Sequence, residues 1–206
     1  PGAYTVYGHE ADMCCWGKSI GNGMSFCALT GRAEIMDIGG IKQHRDRDGK
    51  EYPRLFLCST THGAEAHGLA AALEVIKTYR ENDVIGHVHG LVEACSAGVR
   101  ALVQTAGLEE QIVIKSNTWV NVSIFKGNDG KANSPLRTLF IQEMIKRGVL
   151  FQGIFLACYQ TSMEDVAYFL KAYEESLVVY KQALDQGNTD GLLVGDACKP
   201  VFRKWN

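Results

Sequence analysis

The chain has no long apolar run, no Cys-x-x-Cys pair, no internal repeat, no low-complexity linker and no excess of charge of one sign. Each absence narrows what it can be. A membrane-spanning helix needs about 20 consecutive apolar residues, and no run approaches that length. The start lacks the charged, apolar and small-residue pattern of a signal peptide, so the expected localisation is cytoplasmic. Twenty-one Lys and Arg against 23 Asp and Glu leave a net charge of −2. That balance gives no footprint for nucleic acid, a membrane surface or a polyanionic partner. The seven cysteines are Cys14, Cys15, Cys27, Cys58, Cys95, Cys158 and Cys198, and their spacing is not that of metal ligands, so no metal site is expected. Most lie in apolar runs such as Leu55-Phe56-Leu57-Cys58 and read as reduced, buried small hydrophobes.

What is present is an ordinary globular composition, 46% hydrophobic and 21% charged over 206 residues. That length suits one large or two small domains with a proper core. The stretch that organises the rest is Met13-Cys14-Cys15-Trp16-Gly17-Lys18-Ser19-Ile20-Gly21-Asn22-Gly23-Met24. Its apolar run reads as a buried strand that stops at Gly17, and Gly21 and Gly23 then permit a tight reversal. Lys18 is thereby set on a turn at a strand end, where burial would lower the pKa of its amine. At the unperturbed pKa, only about one lysine in two thousand is a free amine at neutral pH, so a lysine that condenses with an aldehyde needs such a place. A surface lysine beside a glycine turn has the same spacing. Lys-x-x-Gly-x-Gly is neither a phosphate-binding loop, whose lysine follows its glycines, nor a dinucleotide fingerprint.

Along the chain, Tyr4 to His9 reads as a loop or edge piece, Ser25 to Leu29 as a short strand, and Arg32 to Asp37 as a short helix. Residues 42–51 mix charge signs around a glycine and read as a solvated loop, with phosphate binding by the arginines as the other possibility. Arg54 to Ser59 is a strand candidate. A helix over 64–82 follows, with Ala66, Leu69, Ala70, Leu73, Ile76 and Lys77 three and four apart. Ser59-Thr60-Thr61 precedes it, which suits either N-capping or a phosphate held at the helix start. A second helix runs from Asp83 to Gly107, with Val84, Val88, Leu91, Val92, Cys95, Val99 and Leu102 on one face. His87 and His89 read as ordinary helix residues. Ile112 to Ile114 and Trp119 to Phe125 are strands, the second alternating Val120, Val122 and Ile124 against Asn121 and Ser123. Asn128-Asp129-Gly130 is a turn. Ser134-Pro135 opens a helix with a cap and a first-turn proline, buried through Leu136, Leu139, Phe140, Met144 and Ile145 and closed by Gly148. Val149 to Phe151 and Ile154 to Cys158 are short strand pieces. Thr161-Ser162-Met163-Glu164 reads as a capping box starting a long helix through Leu184, with Val166, Phe169, Leu170, Tyr173, Leu177 and Tyr180 inward. The final residues 199–206 form a tail. Composition shifts near Asp83, where the motifs end.

Asp12 through Met36, with Trp-Gly-Lys-Ser-Ile-Gly-Asn-Gly-Met and Ala-Leu-Thr-Gly-Arg-Ala-Glu-Ile-Met, resembles the lysine segment of the class III aminotransferases. Leu57 through Glu65 is similar to that family's Thr-x-Gly-Gly-Asn motif, though His62 and Glu65 depart from its usual residues. Arg147-Gly148-Val149-Leu150-Phe151 through the last helix resembles the glutamate-1-semialdehyde aminomutase branch. The resemblance implies an α/β fold of the aspartate aminotransferase type. Residues 1–83 would be the end of a large cofactor domain and 84–206 a small α+β C-terminal domain. It implies pyridoxal 5'-phosphate on Lys18 as an internal aldimine, with Lys18 then moving protons, and Thr61 beside Thr60 holding the phosphate across a homodimer interface. The substrate class implied is a small amino or keto compound. The family's members are longer, and their pyridine-pairing aspartate and phosphate loop lie upstream of the lysine. The chain opens Pro-Gly-Ala-Tyr and so looks like the carboxyl-terminal half of such an enzyme. A non-catalytic fragment or dimerisation module lacking that upstream half is the alternative.

Overall fold

The computed structural model describes residues 3–37, 48–49 and 65–199. The expected loop and strand over 42–59, apart from residues 48–49, and the phosphate-site residues Thr60 and Thr61 lie outside the described residues. The chain divides into two compact units between Asn82 and Asp83. Among the described residues no helix is long and apolar enough to cross a membrane.

The first unit opens with a 3-10 turn over Ala3–Tyr7, where a loop or edge piece is expected. Strand β1 (Met13–Trp16) then pairs antiparallel with β2 (Ala28–Gly31), Met13 facing Gly31 and Trp16 facing Ala28. A glycine at 31 is required, because a Cβ there would lie 2.7 Å from the Asp12 carbonyl oxygen. Short helix α1 (Ala33–Met36) follows, and α2 (Ala66–Glu81) completes the unit. One expectation fails here. β1 is not a buried strand: Met13 and Cys15 are exposed and Cys14 and Trp16 only half-buried. Helix α2 forms as its spacing predicts, but its spaced apolar residues do not make a buried stripe. Leu69, Leu73 and Ile76 are exposed, and the residues that bury are the small ones, Gly68 and Ala72.

The second unit holds the core. Helix α3 (Val84–Thr105) is capped by Asp83, whose side chain accepts from the Gly86 amide. Strand β3 (Ile112–Ser116) pairs antiparallel with β4 (Asn121–Phe125), and β4 with the two-residue β5 (Ile154–Phe155), giving the order β3-β4-β5. Helices α4 (Ser134–Lys146) and α5 (Met163–Gln186) complete the unit. Leu91, Cys95 and Val99 of α3 join Leu139, Phe140 and Met144 of α4 and Phe169, Tyr173, Leu177 and Tyr180 of α5 in one cluster. Phe140 lies at its centre, with ring centroids 4.7 Å from both Phe125 and Tyr173. Burial pushes the Cys95 thiol up to about 12, so this sulfur is an inert hydrophobe, as expected. The other described cysteines do not match that expectation: Cys15, Cys27, Cys158 and Cys198 are exposed and Cys14 is intermediate.

The alternation in β4 has an unexpected sense. Asn121, Ser123 and Phe125 are buried, and Val122 and Ile124 are not. The polar side chains tolerate burial because each is bonded. Asn121 Nδ2 donates to Ser96 Oγ at 3.0 Å, and the Tyr173 hydroxyl donates to Ser123 Oγ at 3.0 Å. Caps are shifted by one residue from their sequence reading. Asn133, not Ser134, caps α4 by accepting from the Leu136 amide at 2.9 Å. The capping box of α5 is Ser162 with Asp165, while Thr161 Oγ1 accepts from the Cys158 amide. Residues 149–151 form no strand, and Ile145 is half-exposed.

One buried charge needs its own partners. Glu143 is 5% exposed and accepts from Lys146 Nζ at 2.7 Å and from Arg147 at 2.8 Å. Burial alone would raise its carboxyl. The hydrogen bonds from Lys146, Arg147 and Gln142 outweigh that and hold it below the usual carboxylate range.

Candidate functional site

The turn after β1 has the most unusual backbone in the described chain. Gly17 is fully extended, with φ −163° and ψ −169°. Lys18 then takes φ 53° and opens a single 3-10 turn over Lys18–Gly21. Asn22 is left-handed as well, at φ 45° and ψ 52°, and Gly23 follows at φ 93°. Among the described residues, Lys18 and Asn22 are the two non-glycine positions with positive φ. Asparagine visits this region with ease, but a lysine there costs about 1–2 kcal/mol. Such strain persists only where the surroundings over-determine it, and it clusters at functional sites.

The surroundings can be named. Gly21 is buried against Phe26: a Cβ at 21 would meet Phe26 Cβ at 3.0 Å. The Asn22 amide donates to the Ser19 carbonyl at 3.1 Å, and the Met24 amide to the Gly21 carbonyl at 2.9 Å. Helix α2 lies directly on the same segment, since a Cβ at Gly68 would come within 2.9 Å of the Ser25 carbonyl oxygen. Across the hairpin, Trp16 Nε1 donates to Thr30 Oγ1 at 2.7 Å. At its open end Arg32 donates to Asp12 Oδ1 at 3.2 Å and to Glu34 Oε1 at 2.8 Å. Hydrogen bonds to Asp12 and Glu34 hold the Arg32 guanidinium above its usual range.

Lys18 is therefore held by backbone geometry rather than by a pocket. The expected burial of its amine is not supplied by the described residues, among which Lys18 is exposed. The primary amine stands on a fixed turn flanked by glycines that leave room for an approaching group, without the burial that the sequence reading called for. Thr60 and Thr61 lie outside the described residues, but α2, which follows them in the chain, is packed on the turn that Lys18 opens. Gly68 is the residue that sequence reasoning passed over. Its signal was a glycine inside a helical pattern, which marks a close backbone approach. His87 behaves as an ordinary helix residue: Nε2 lies 2.9 Å from the Thr161 carbonyl and the ring packs edge-on to Tyr159. Among the described residues, no group of three or more His, Cys, Asp or Glu side chains could hold a metal ion.

No protein-family model matches the chain. It is similar to the 3-aminobutyryl-CoA aminotransferase of Cloacimonas acidaminovorans, 26% identical over 185 residues, which cover 89% of this chain and 41% of that protein. It is also similar to the glutamate-1-semialdehyde 2,1-aminomutase of Clostridium novyi, 27% identical over 191 residues, covering 85% of this chain and 40% of that protein. A transaminase solved with pyridoxal phosphate bound superimposes with a TM-score of 0.70 at 18% identity, over 90% of this chain and 42% of that one. The chain spans about two fifths of the length of the curated relatives it matches. Over most of its length it is similar to pyridoxal-phosphate-dependent aminotransferases and aminomutases, and it has the fold of the solved transaminase.

Proposed function

We propose that the chain contributes the lysine-bearing part of a pyridoxal-phosphate-dependent aminotransferase or aminomutase, acting on a small amino or keto compound. The observation that carries this reading is Lys18 itself: an exposed amine kept in a left-handed backbone at a strand end. In this reading residues 1–83 belong to the large cofactor domain and 84–206 form the small C-terminal domain. Lys18 holds the cofactor through Nζ. When bound, the cofactor's pyridine ring supplies an electron sink. Lys18, once free of it, carries a proton to and from the substrate α-carbon as a general acid and base. The backbone from Gly17 to Gly23 fixes where that amine starts, so its reach is set before substrate arrives. Thr61, assisted by Thr60, holds the phosphate in the active site of a neighbouring subunit, which makes the working form a homodimer in the cytoplasm. Aminomutase and transaminase chemistry differ in one requirement: the former needs no external amino acceptor.

The test is a visible absorption spectrum of the purified chain with added pyridoxal phosphate, followed by borohydride reduction and peptide mapping. A yellow species that reduces onto Lys18, and that is missing in Lys18→Ala, supports the reading. Labelling scattered over surface lysines, unchanged in Lys18→Ala, removes it for this chain.

A further inference from the structure

The longest helix carries a charge pattern that its own chain does not use up. On α5, Lys171, Glu175, Val178, Lys181 and Asp185 recur at steps of three and four and so share one face. That face is exposed and points away from the buried stripe of Phe169, Tyr173, Tyr180 and Leu184. Val178 stands at its centre, 68% exposed. Read along the helix, the order is cation, anion, apolar, cation, anion. Read backwards, every sign is inverted. Among the described residues neither Lys171 nor Asp185 has a hydrogen bond or ion pair.

Symmetry decides what such a face fits. A second α5 laid antiparallel on it, about a two-fold axis at Val178, sets Lys171 opposite Asp185 of the second copy and Glu175 opposite its Lys181. Every charge of the stripe then meets its opposite, and none meets its like. A register that set Glu174 against Asp185 would bring two acids together instead. Glu175 and Lys181 are already held in place: Arg147 Nε donates to Glu175 at 2.9 Å, and Lys181 Nζ donates to the Ala106 carbonyl at 3.2 Å. Ordering them beforehand lowers the entropy cost of docking. Beside Val178 lies a groove of about 640 Å³ between α5 and the end of α3, with Leu102, Ala106 and Leu177 in its lining. A second helix over Val178 covers the edge of that groove, so docking removes apolar surface from water as well as pairing charges.

We propose that the outer face of α5 is a self-recognition surface, on which a second copy of this chain docks antiparallel through Lys171, Val178 and Asp185. The contact is isologous: both copies use the same patch, so the pair closes and does not grow into a filament. One helix face buries less than the roughly 1,200 Å² at which stable interfaces begin, so the association is weak and depends on concentration. The surface uses none of the residues of the cofactor reading and stands whether or not that reading holds.

Sedimentation equilibrium of the full chain over a range of concentrations tests it. Lys171→Glu and Asp185→Lys should each weaken self-association about tenfold, because each turns two attractive pairs into repulsive ones. The double variant Lys171→Glu/Asp185→Lys should regain it, since the pairs are restored with their signs exchanged. A second readout fixes the axis: in Val178→Cys, a short bismaleimide should join position 178 of one copy to position 178 of the other, mapped by mass spectrometry. A chain that stays monomeric overturns the proposal. So does an association that neither single reversal weakens, a double variant no stronger than the single ones, or cross-links from position 178 only to other cysteines.

Discussion

The two units are built on opposite plans. In the second, large side chains from three helices and a sheet bury one another, and among the described residues no buried side-chain polar atom lacks a hydrogen-bond partner. In the first, the buried residues among those described are Gly21, Gly68 and Ala72. Its order comes from backbones approaching closely at positions where a Cβ would not fit. Side-chain packing gives stability through apolar area. Backbone packing gives little area but fixes the dihedral angles of a turn, which is what a presented amine requires.

Three substitutions would break or sharpen that contrast. The largest effect is expected at Phe140, which is fully buried among Phe125, Phe151, Tyr173 and Tyr180. Phe140→Ala should cost about 3–5 kcal/mol, read as a shift in the urea midpoint followed by near-ultraviolet circular dichroism. A loss under 1 kcal/mol would mean that the aromatic cluster is not the core. Next comes Gly68→Ala. Its Cβ meets a backbone oxygen that cannot swing aside, so α2 must move off the Lys18 turn, at about 1–3 kcal/mol. Reductive labelling of Lys18 with pyridoxal phosphate should fall even though the second unit's unfolding midpoint stays put. Gly98→Ala is the contrasting case, since the atoms nearest its added methyl belong to the Leu170 side chain rather than to backbone.

The smallest effect is a pH dependence from Glu143. Its carboxyl is depressed in the folded chain, so it binds a proton less readily there than when unfolded. The stability it adds is present above the ordinary glutamate pKa of about 4.3 and is lost as the pH falls through the lower folded value. The urea midpoint should therefore drop from pH 5 towards pH 3, and Glu143→Gln should flatten that slope. An unchanged slope would remove Glu143 as its source.

The legible parts of the sequence were those where one rule acted alone. The heptad-like apolar spacing of α3 and α5 reads correctly because burial on one face is the sole demand on those helices. The lysine turn reads correctly because glycines mark an unusual backbone. Failures occurred where a second residue from a distant segment reversed a local preference. Asn121 and Ser123 turn inward because Ser96 and Tyr173 meet them there, and nothing in the run from 120 to 125 announces those partners. The caps slipped by one residue because Asn133, Ser134, Thr161 and Ser162 are all competent caps, and tertiary placement chooses among them. The apolar run of β1 reads as buried from its chemistry, yet among the described residues Met13 and Cys15 are exposed and Cys14 and Trp16 half-buried.

The dihedral of Lys18 has an evolutionary consequence. Glycine occupies the left-handed region freely, so Lys18→Gly should relieve the turn where Lys18→Ala keeps the strain. A sequence drifting under selection for folding alone would be drawn towards glycine at 18. The lysine is kept against that pull only while its amine is useful. Position 18 is thus a gauge of selection, and a lineage that no longer needs the amine should lose it there first.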